Sequence, residues 1–235
     1  MQSSVYRNGA CTLVIMAKAP RPGAVKTRLA RSLPVAEVTD LYRCLLGDTI
    51  ALGRSLNGVQ VALMCPEADA EDLAQATGNS IPVVPQNGSG LAAALTSVFA
   101  HFFSTGAGRI VAFNSDTPHL PASFLETAFH SLNSCDVVVG PTQDGGYYLV
   151  GAKAAHPGLF VSDAMGTTTA YEALLARIRG LNLSFNLTDP FYDIDELSDL
   201  GQLAEELQRS PGKAPQTAEW LLARTEKIRQ AGQRG

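Results

Sequence analysis

The sequence predicts an α/β protein, a three-layer α/β/α arrangement of helices on both faces of a mainly parallel, mixed sheet, and three observations predict it. Short apolar runs alternate with longer segments of helical periodicity, the pattern of strands joined by crossover helices. The runs are apolar on successive residues, as strands covered on both faces require. Finally, only a short Asp-Gly-Gly turn separates the runs 136–140 and 147–151. That gap is too short for a crossover helix, so one of those two strands is expected to run antiparallel.

Residues 12–17 are a buried strand that ends in a Pro/Gly loop. A helical turn or two is expected from Val25 to about Leu33, placing the loop at a helix N-terminus, and Pro34 interrupts it. Over residues 35–56, Val38, Leu41, Tyr42, Leu45, Leu46, Thr49 and Leu52 fall at helical spacing. Val59–Met64 is a second strand, Glu67–Ala76 a short helix, and Ile81–Pro85 a third extended segment. Gly88 and Gly90 open a helix from about Leu91 to Phe103, and the strand Arg109–Phe113 ends in Asn114-Ser115-Asp116-Thr117-Pro118. Pro121 begins a helix to about Leu132, and the strands Asp136–Gly140 and Tyr147–Gly151 follow. Then come a helix near Thr168–Arg179, an extended Leu183–Leu187, a helix near Glu196–Gln208, a Pro211–Pro215 break and a last helix near Thr217–Gln230. No repeat or linker divides the chain, so one domain over 1–235 is expected, with a helical extension from about 196.

Composition narrows the function. The chain has 235 residues, 46% hydrophobic and 17% charged, with a net charge of −4, which does not suggest a nucleic-acid surface. Cys11, Cys44, Cys65 and Cys135 are scattered, without the spacing of a zinc ribbon or a disulfide framework. No apolar segment approaches the length of a membrane span, and the N-terminal run leads into Lys18 rather than a cleavage site, so a cytoplasmic protein is expected. Gly23-Ala24-Val25-Lys26-Thr27 lacks the Gly before Lys that a Walker loop needs, and no Gly-x-Gly-x-x-Gly follows the first strand. The four histidines show no metal-ligand spacing, His119 reads as a neighbour of Asp116 rather than a base, and Ser115 lacks a nucleophile elbow.

The distribution of charge is more informative than its sum. Arg7, Lys18, Arg21, Lys26, Arg28 and Arg31 all precede the first acidic residue, Glu37. Asp189, Asp193, Asp195, Glu196 and Asp199 form an acidic stretch free of Lys and Arg. A strand that delivers a cationic, Gly-containing loop to a helix suits phosphate, and ligands of parallel sheets bind beyond the C-terminal strand ends. The cationic loop, Asn114–Pro118 and the Asp-Gly-Gly turn should share that rim. Cations and carboxylates together suit a metal–polyphosphate ligand, with Asp116 the first candidate for Mg²⁺. Asp193 and Asp195 alternate, so only one of them should face a shared ion, and Asp195 alternatively caps the following helix.

In order along the chain stand Ala-Lys-x-Pro-x-x-Gly-x-x-Lys-Thr-Arg-Leu (residues 17–29), Ser-Asp-x-Pro (115–118), Asp-Gly-Gly-Tyr-Tyr-Leu-x-Gly (144–151) and Asp-x-Asp (193–195). This set resembles the DUF2064 family of the nucleotide-diphospho-sugar transferase (GT-A) superfamily, which is related to the guanylyltransferases of coenzyme F420 and molybdenum-cofactor synthesis. The resemblance implies a GT-A-like fold with a nucleotide at Ala17, Lys18, Arg21, Gly23, Lys26, Arg28, Gln86 and Ser115. It implies catalytic roles for Lys26, Arg28 and Asp116, and an acceptor at Asp144, Gly145, Gly146, Tyr147 and Tyr148. It implies Mg²⁺ or Mn²⁺ on Asp116 and Asp195, with Asp193 as the alternative to Asp195. Two stretches depart from the family pattern, Gly88-Ser89-Gly90-Leu91-Ala92-Ala93-Ala94-Leu95 and Met165-Gly166-Thr167. The expected activity is Mg²⁺-dependent nucleotidyl transfer from an NTP to a small phosphorylated metabolite. The alternatives are a glycosyltransferase using a nucleotide-sugar and a non-catalytic nucleotide-binding protein. The protein should be a monomer or homodimer, with neither nucleic acid nor membrane as partner.

Overall fold

A computed structural model describes residues 9–161, 169–210 and 212–232. Seven strands form one sheet: β1 (Cys11–Met16), β2 (Val59–Cys65), β3 (Val83–Pro85), β4 (Arg109–Asn114), β5 (Val137–Pro141), β6 (Tyr147–Ala152) and β7 (Phe185–Leu187). Their order is β3-β2-β1-β4-β6-β5-β7, and β6 alone among them is antiparallel to its neighbours β4 and β5. The turn that was too short for a crossover thus makes a hairpin.

Alternation along the strands divides the core in two. On one face Leu13, Ile15, Leu63, Val111, Phe113 and Leu149 pack with α1 (Val35–Ser55) and α4 (Ala122–Ser131), joined at the sheet's end by α2 (Ala70–Ala76). On the other, Val14, Ala62, Met64, Ala112, Val139 and Val150 meet α3 (Gly90–Ser104) and α5 (Ala170–Gly180). Helix α1 is buried on two sides. Tyr42, Leu46 and Ile50 face the sheet, while Val38, Leu41 and Leu45 meet α6 (Leu197–Arg209) and α7 (Pro215–Leu222) through Leu200, Leu203, Trp220 and Leu221. Asp48 on α1 accepts from the amides of Gln216 and Thr217 (3.2 and 2.7 Å), so the first long helix caps α7.

Three expectations change. The helix foreseen over 25–33 is a single 3-10 turn, Leu29–Arg31. Val25 packs into the sheet-side core and Leu29 into the outer cluster, while Lys26 between them takes a left-handed backbone (φ 47°) that a helix cannot contain. The cationic loop therefore does not run into a helix N-terminus. The last helix is two, α7 and α8 (Thr225–Gly232), parted where Arg224 turns its guanidinium over the Trp220 ring. The 192–195 stretch is neither strand nor helix. Arg7, Met165-Gly166-Thr167, Thr168, Pro211 and residues 233–235 lie outside the described residues. Among those described, no helix is long and apolar enough to cross a membrane.

Candidate functional site

A cleft of about 960 Å³ opens beyond the C-terminal ends of β1, β2 and β4, the place where parallel sheets hold ligands. Its floor is the β1 loop, with Ala17, Lys18, Lys26, Thr27 and Arg28. One wall carries Met64, Pro66, Gln86, Gly88, Leu91 and Ala94, and the other Tyr42, Ser115, Asp116 and Asp195.

The loop is held by an internal set of polar contacts. The Ala19 amide donates to Asp69 Oδ2 (3.1 Å) and the Lys18 amide to the Tyr42 hydroxyl (3.0 Å). The Tyr42 and Ser115 hydroxyls are bonded to each other (3.1 Å), and Ser115 Oγ donates to Asp116 Oδ1 (3.2 Å). Burial, with the Asp116 charge adding to it, pushes the Tyr42 phenol up to about 12, so it stays a neutral hydroxyl bridging the loop to β4. Arg21 is turned away from the cleft. Its Nε donates to Asp72 Oδ2 (2.7 Å), another nitrogen donates to the Ala68 carbonyl (2.7 Å), and a third pairs with Asp69. The expected phosphate contact of Arg21 is thus replaced by a latch between the loop and the start of α2.

Lys26 is the centre of the site. Its Nζ lies 2.7 Å from Asp116 Oδ2 and 2.8 Å from Asp195 Oδ1, and its side chain is 4% exposed. Burial pulls the ammonium's pKa down, but the two carboxylates outweigh burial and leave it raised. Arg28 reaches Asp195 Oδ2 at 3.4 Å from a largely exposed position, a contact worth little. Lys18 is exposed at the mouth and has no ion-pair partner among the described residues.

Asp195 reaches this point because Ile194 is pinned. Ile194 is fully buried and its amide donates to the Asp116 carbonyl (3.2 Å). The next two amides, of Asp195 and Glu196, donate to Asp199 Oδ2 (2.9 and 2.6 Å) in a capping box that starts α6. The helix-capping reading of Asp195 is therefore replaced: Asp199 and Glu196 make the cap, and the Asp195 carboxylate is free for Lys26. Asp193 is half-buried. Burial first, then the charges of Asp195, Asp116 and Asp144, opposed by Lys26, push it up to about 6.

Asp116 and Asp195 are the pair brought together, since the oxygens that meet Lys26 are separated by no more than those two bonds laid end to end. Ala17, Lys18, Lys26, Arg28, Gln86 and Ser115 line the same cleft, whereas Gly23 is not among its lining residues. The hairpin residues are not among those lining the cleft, although the Asp144 charge reaches Asp193. Gly145 adopts φ 90°, and a Cβ on Gly146 would lie 2.8 Å from Thr142 Oγ1, so both glycines are required by the turn itself. Asp144 accepts from Thr142 Oγ1 and the Gly146 amide within that turn. Tyr148 is a core residue rather than an acceptor contact: it is 1% exposed and its hydroxyl is tied to Thr188 and the Asp189 carbonyl. Tyr147 is half-buried at the edge of the second core cluster.

Sequence reasoning missed Tyr42, which counted only as an apolar helix position. The signal was a tyrosine on a buried helix face, whose hydroxyl needs a partner. Among the described residues, no three His, Cys, Asp or Glu side chains group as a metal cage. Two carboxylates completed by phosphate and water are nonetheless a Mg²⁺-type donor set, and here they already hold one cation.

Residues 49–167 match DUF2064, described as uncharacterized proteins conserved in bacteria. A crystal structure from Desulfovibrio desulfuricans G20, named provisionally as a nucleotide-diphospho-sugar transferase, is 25% identical with a TM-score of 0.88, over 95% of this chain and 98% of that one. A nucleotidyl transferase from Methanothermobacter is 16% identical (TM-score 0.60, 86% and 99% covered). The CMP:2-keto-3-deoxy-manno-octonic acid synthetase complexed with CTP is 11% identical (TM-score 0.57, 86% and 99% covered). At that identity the last two likenesses concern the fold. No curated protein matches the chain.

Proposed function

This chain belongs to the DUF2064 family, and from that premise we propose that it is a Mg²⁺-dependent nucleotidyltransferase, with Mn²⁺ an acceptable substitute. It would join an NTP to a small phosphorylated metabolite and release pyrophosphate. The observation that carries the reading is the convergence, in one cleft, of a cationic loop with two carboxylates that already share one cation. Support comes from the fold shared with nucleotidyltransferases, one of them holding CTP.

In this reaction an acceptor oxygen forms a bond to the α-phosphorus, and the bond from that phosphorus to the pyrophosphate oxygen breaks. The work is positioning and charge neutralisation, and a phosphate acceptor already carries the attacking anion. Asp116 and Asp195 would hold the metal, which when bound supplies Lewis-acid charge to the phosphates. Lys18, Lys26 and Arg28 would neutralise the triphosphate and the leaving pyrophosphate. Tyr42 keeps the loop backbone against Ser115, so that these cations are set before the nucleotide arrives. The acceptor would enter from the side of Asp144, Gly145, Gly146 and Tyr147.

The test is pyrophosphate release from each NTP with a panel of phosphorylated acceptors. Asp116→Asn, which keeps size but deletes charge, should abolish turnover while the protein stays folded, and full turnover in that variant would overturn the assignment. A second reading, glycosyl transfer from a nucleotide-sugar, is favoured by the name of the Desulfovibrio structure. Consumption of a nucleotide-sugar without pyrophosphate would select it.

A further inference from the structure

Each cation of the β1 loop has a distinct disposition. Arg21 is latched to Asp69 and Asp72, Lys18 stands exposed at the mouth, and Arg28 is exposed beside Asp195. Lys26 alone of these four is buried, and its ammonium meets carboxylates from two separate segments at 2.7 and 2.8 Å. The residue is held there by a left-handed backbone, φ 47°, a conformation that costs a residue with a Cβ and persists only where the surroundings impose it. Without a cation, two carboxylates this close would repel each other.

We infer that in the ligand-free protein Lys26 is a resident counter-ion, and that its ammonium must leave the space between Asp116 and Asp195 before a divalent ion can enter. The inference rests on the metal assignment above and adds to it the reason for a buried lysine. The ammonium nitrogen and a divalent ion need the same two oxygens. Mg²⁺ binds oxygen at about 2.0–2.1 Å, so it cannot share the gap with an ammonium already hydrogen-bonded to both carboxylates. Two cations side by side would also repel each other in a cleft that screens them less than water does. A polyphosphate offers the displaced ammonium new oxygen partners in the same cleft, close to Lys18 and Thr27. Lys26 thus offsets one of the two carboxylate charges before a ligand binds and discourages metal from binding alone.

The experiment is Mn²⁺ binding to the intact protein without nucleotide, read from the loss of the free-ion paramagnetic resonance signal. Lys26→Met and Lys26→Gln should bind one Mn²⁺ at least about tenfold tighter than wild type, and Lys26→Arg, which keeps the charge, should not. The gain should vanish in the Lys26→Met/Asp116→Asn double variant. Because Lys26→Met leaves two carboxylates uncompensated, its thermal unfolding is followed in parallel, and Mn²⁺ should raise its Tm by more than it raises wild type's. Equal Mn²⁺ affinity and equal Tm shifts in wild type and Lys26→Met would overturn the inference. If that happens while Asp116→Asn still abolishes turnover, the metal reading stands and only the counter-ion role falls. If no form binds Mn²⁺ and Asp116→Asn retains turnover, both fall.

Discussion

His119 makes the protein's stability depend on pH between about 4 and 6.5. The ring is 0% exposed, lies against Phe191 and Tyr192 with centroids 4.9 and 4.5 Å away, and neither nitrogen has a hydrogen-bond partner among the described residues. Burial pushes its pKa down from 6.5 to about 4, with Glu206 raising it slightly and Lys213 lowering it. A depressed histidine pKa means that the unfolded chain takes up the proton first. Stability is therefore complete above pH 6.5 and is lost as the pH falls toward 4. Linkage with these two pKa values gives a loss of about 2 kcal/mol at pH 5 relative to pH 7.5, and a ceiling of roughly 3 kcal/mol once both states are protonated. In a chain of this size the His119 component alone is a Tm drop of roughly 4–8 °C at pH 5, opposed by Asp193, whose raised pKa favours the folded state as the pH falls over the same range. His119→Leu should remove this component and, by deleting two unpartnered nitrogens, should not destabilise the protein at pH 7.5 by the usual core-substitution amount. The assay is urea unfolding of both proteins at pH 7.5, 6 and 5. The difference between them should narrow or reverse in favour of leucine as the pH falls. Parallel pH dependence in the two proteins would refute the reasoning.

Two further perturbations test the scaffold of the site. Tyr42→Phe removes the hydroxyl that accepts from Lys18 and bonds Ser115, so it should cost about 1–2 kcal/mol in chemical unfolding and weaken nucleotide binding; a neutral result on both would remove Tyr42 from the site. Gly146→Ala should destabilise the protein or harm acceptor use, because its Cβ would sit 2.8 Å from Thr142 Oγ1; native Tm with unchanged turnover would contradict this.

Much of the frame was legible because both faces of the strands are buried. Runs such as 12–17 and 109–113 carry an unbroken apolar signal, and the shortness of the 142–146 turn foretold the antiparallel strand. The rim was legible too, since Ser115-Asp116 directly follows a strand. What was not legible depends on long-range partners. Nothing near Arg21 in the sequence announces Asp69 and Asp72, so a structural latch read as a phosphate contact. Nor does the sequence around Lys26 announce a carboxylate partner, so Lys26 read only as a nucleotide-binding and catalytic residue. Its burial between two aspartates makes it an internal ion pair instead, and the two ligands come from distant segments. The broken helix over 25–33 has the same origin, since Leu29 turns toward Ile194 and Leu200 rather than along a helix face.

The separation of 169 positions between Lys26 and Asp195 has a consequence for biosynthesis. A nascent chain that has emerged just past β4 already possesses the cationic loop and Asp116, but the second carboxylate has yet to emerge. Ile194 and the amides after it then have to dock beside Asp116 as α6 and α7 are added to α1, a closure of high sequence separation and hence a slow one. The cleft consequently matures from its floor to its wall, and the second carboxylate joins it only once residue 195 has emerged. Slow synonymous codons placed after residue 116 would lengthen the interval in which Lys26 faces a single partner, and time-resolved proteolysis of stalled ribosome complexes would register that interval as a loop cut readily before residue 195 emerges and protected afterwards.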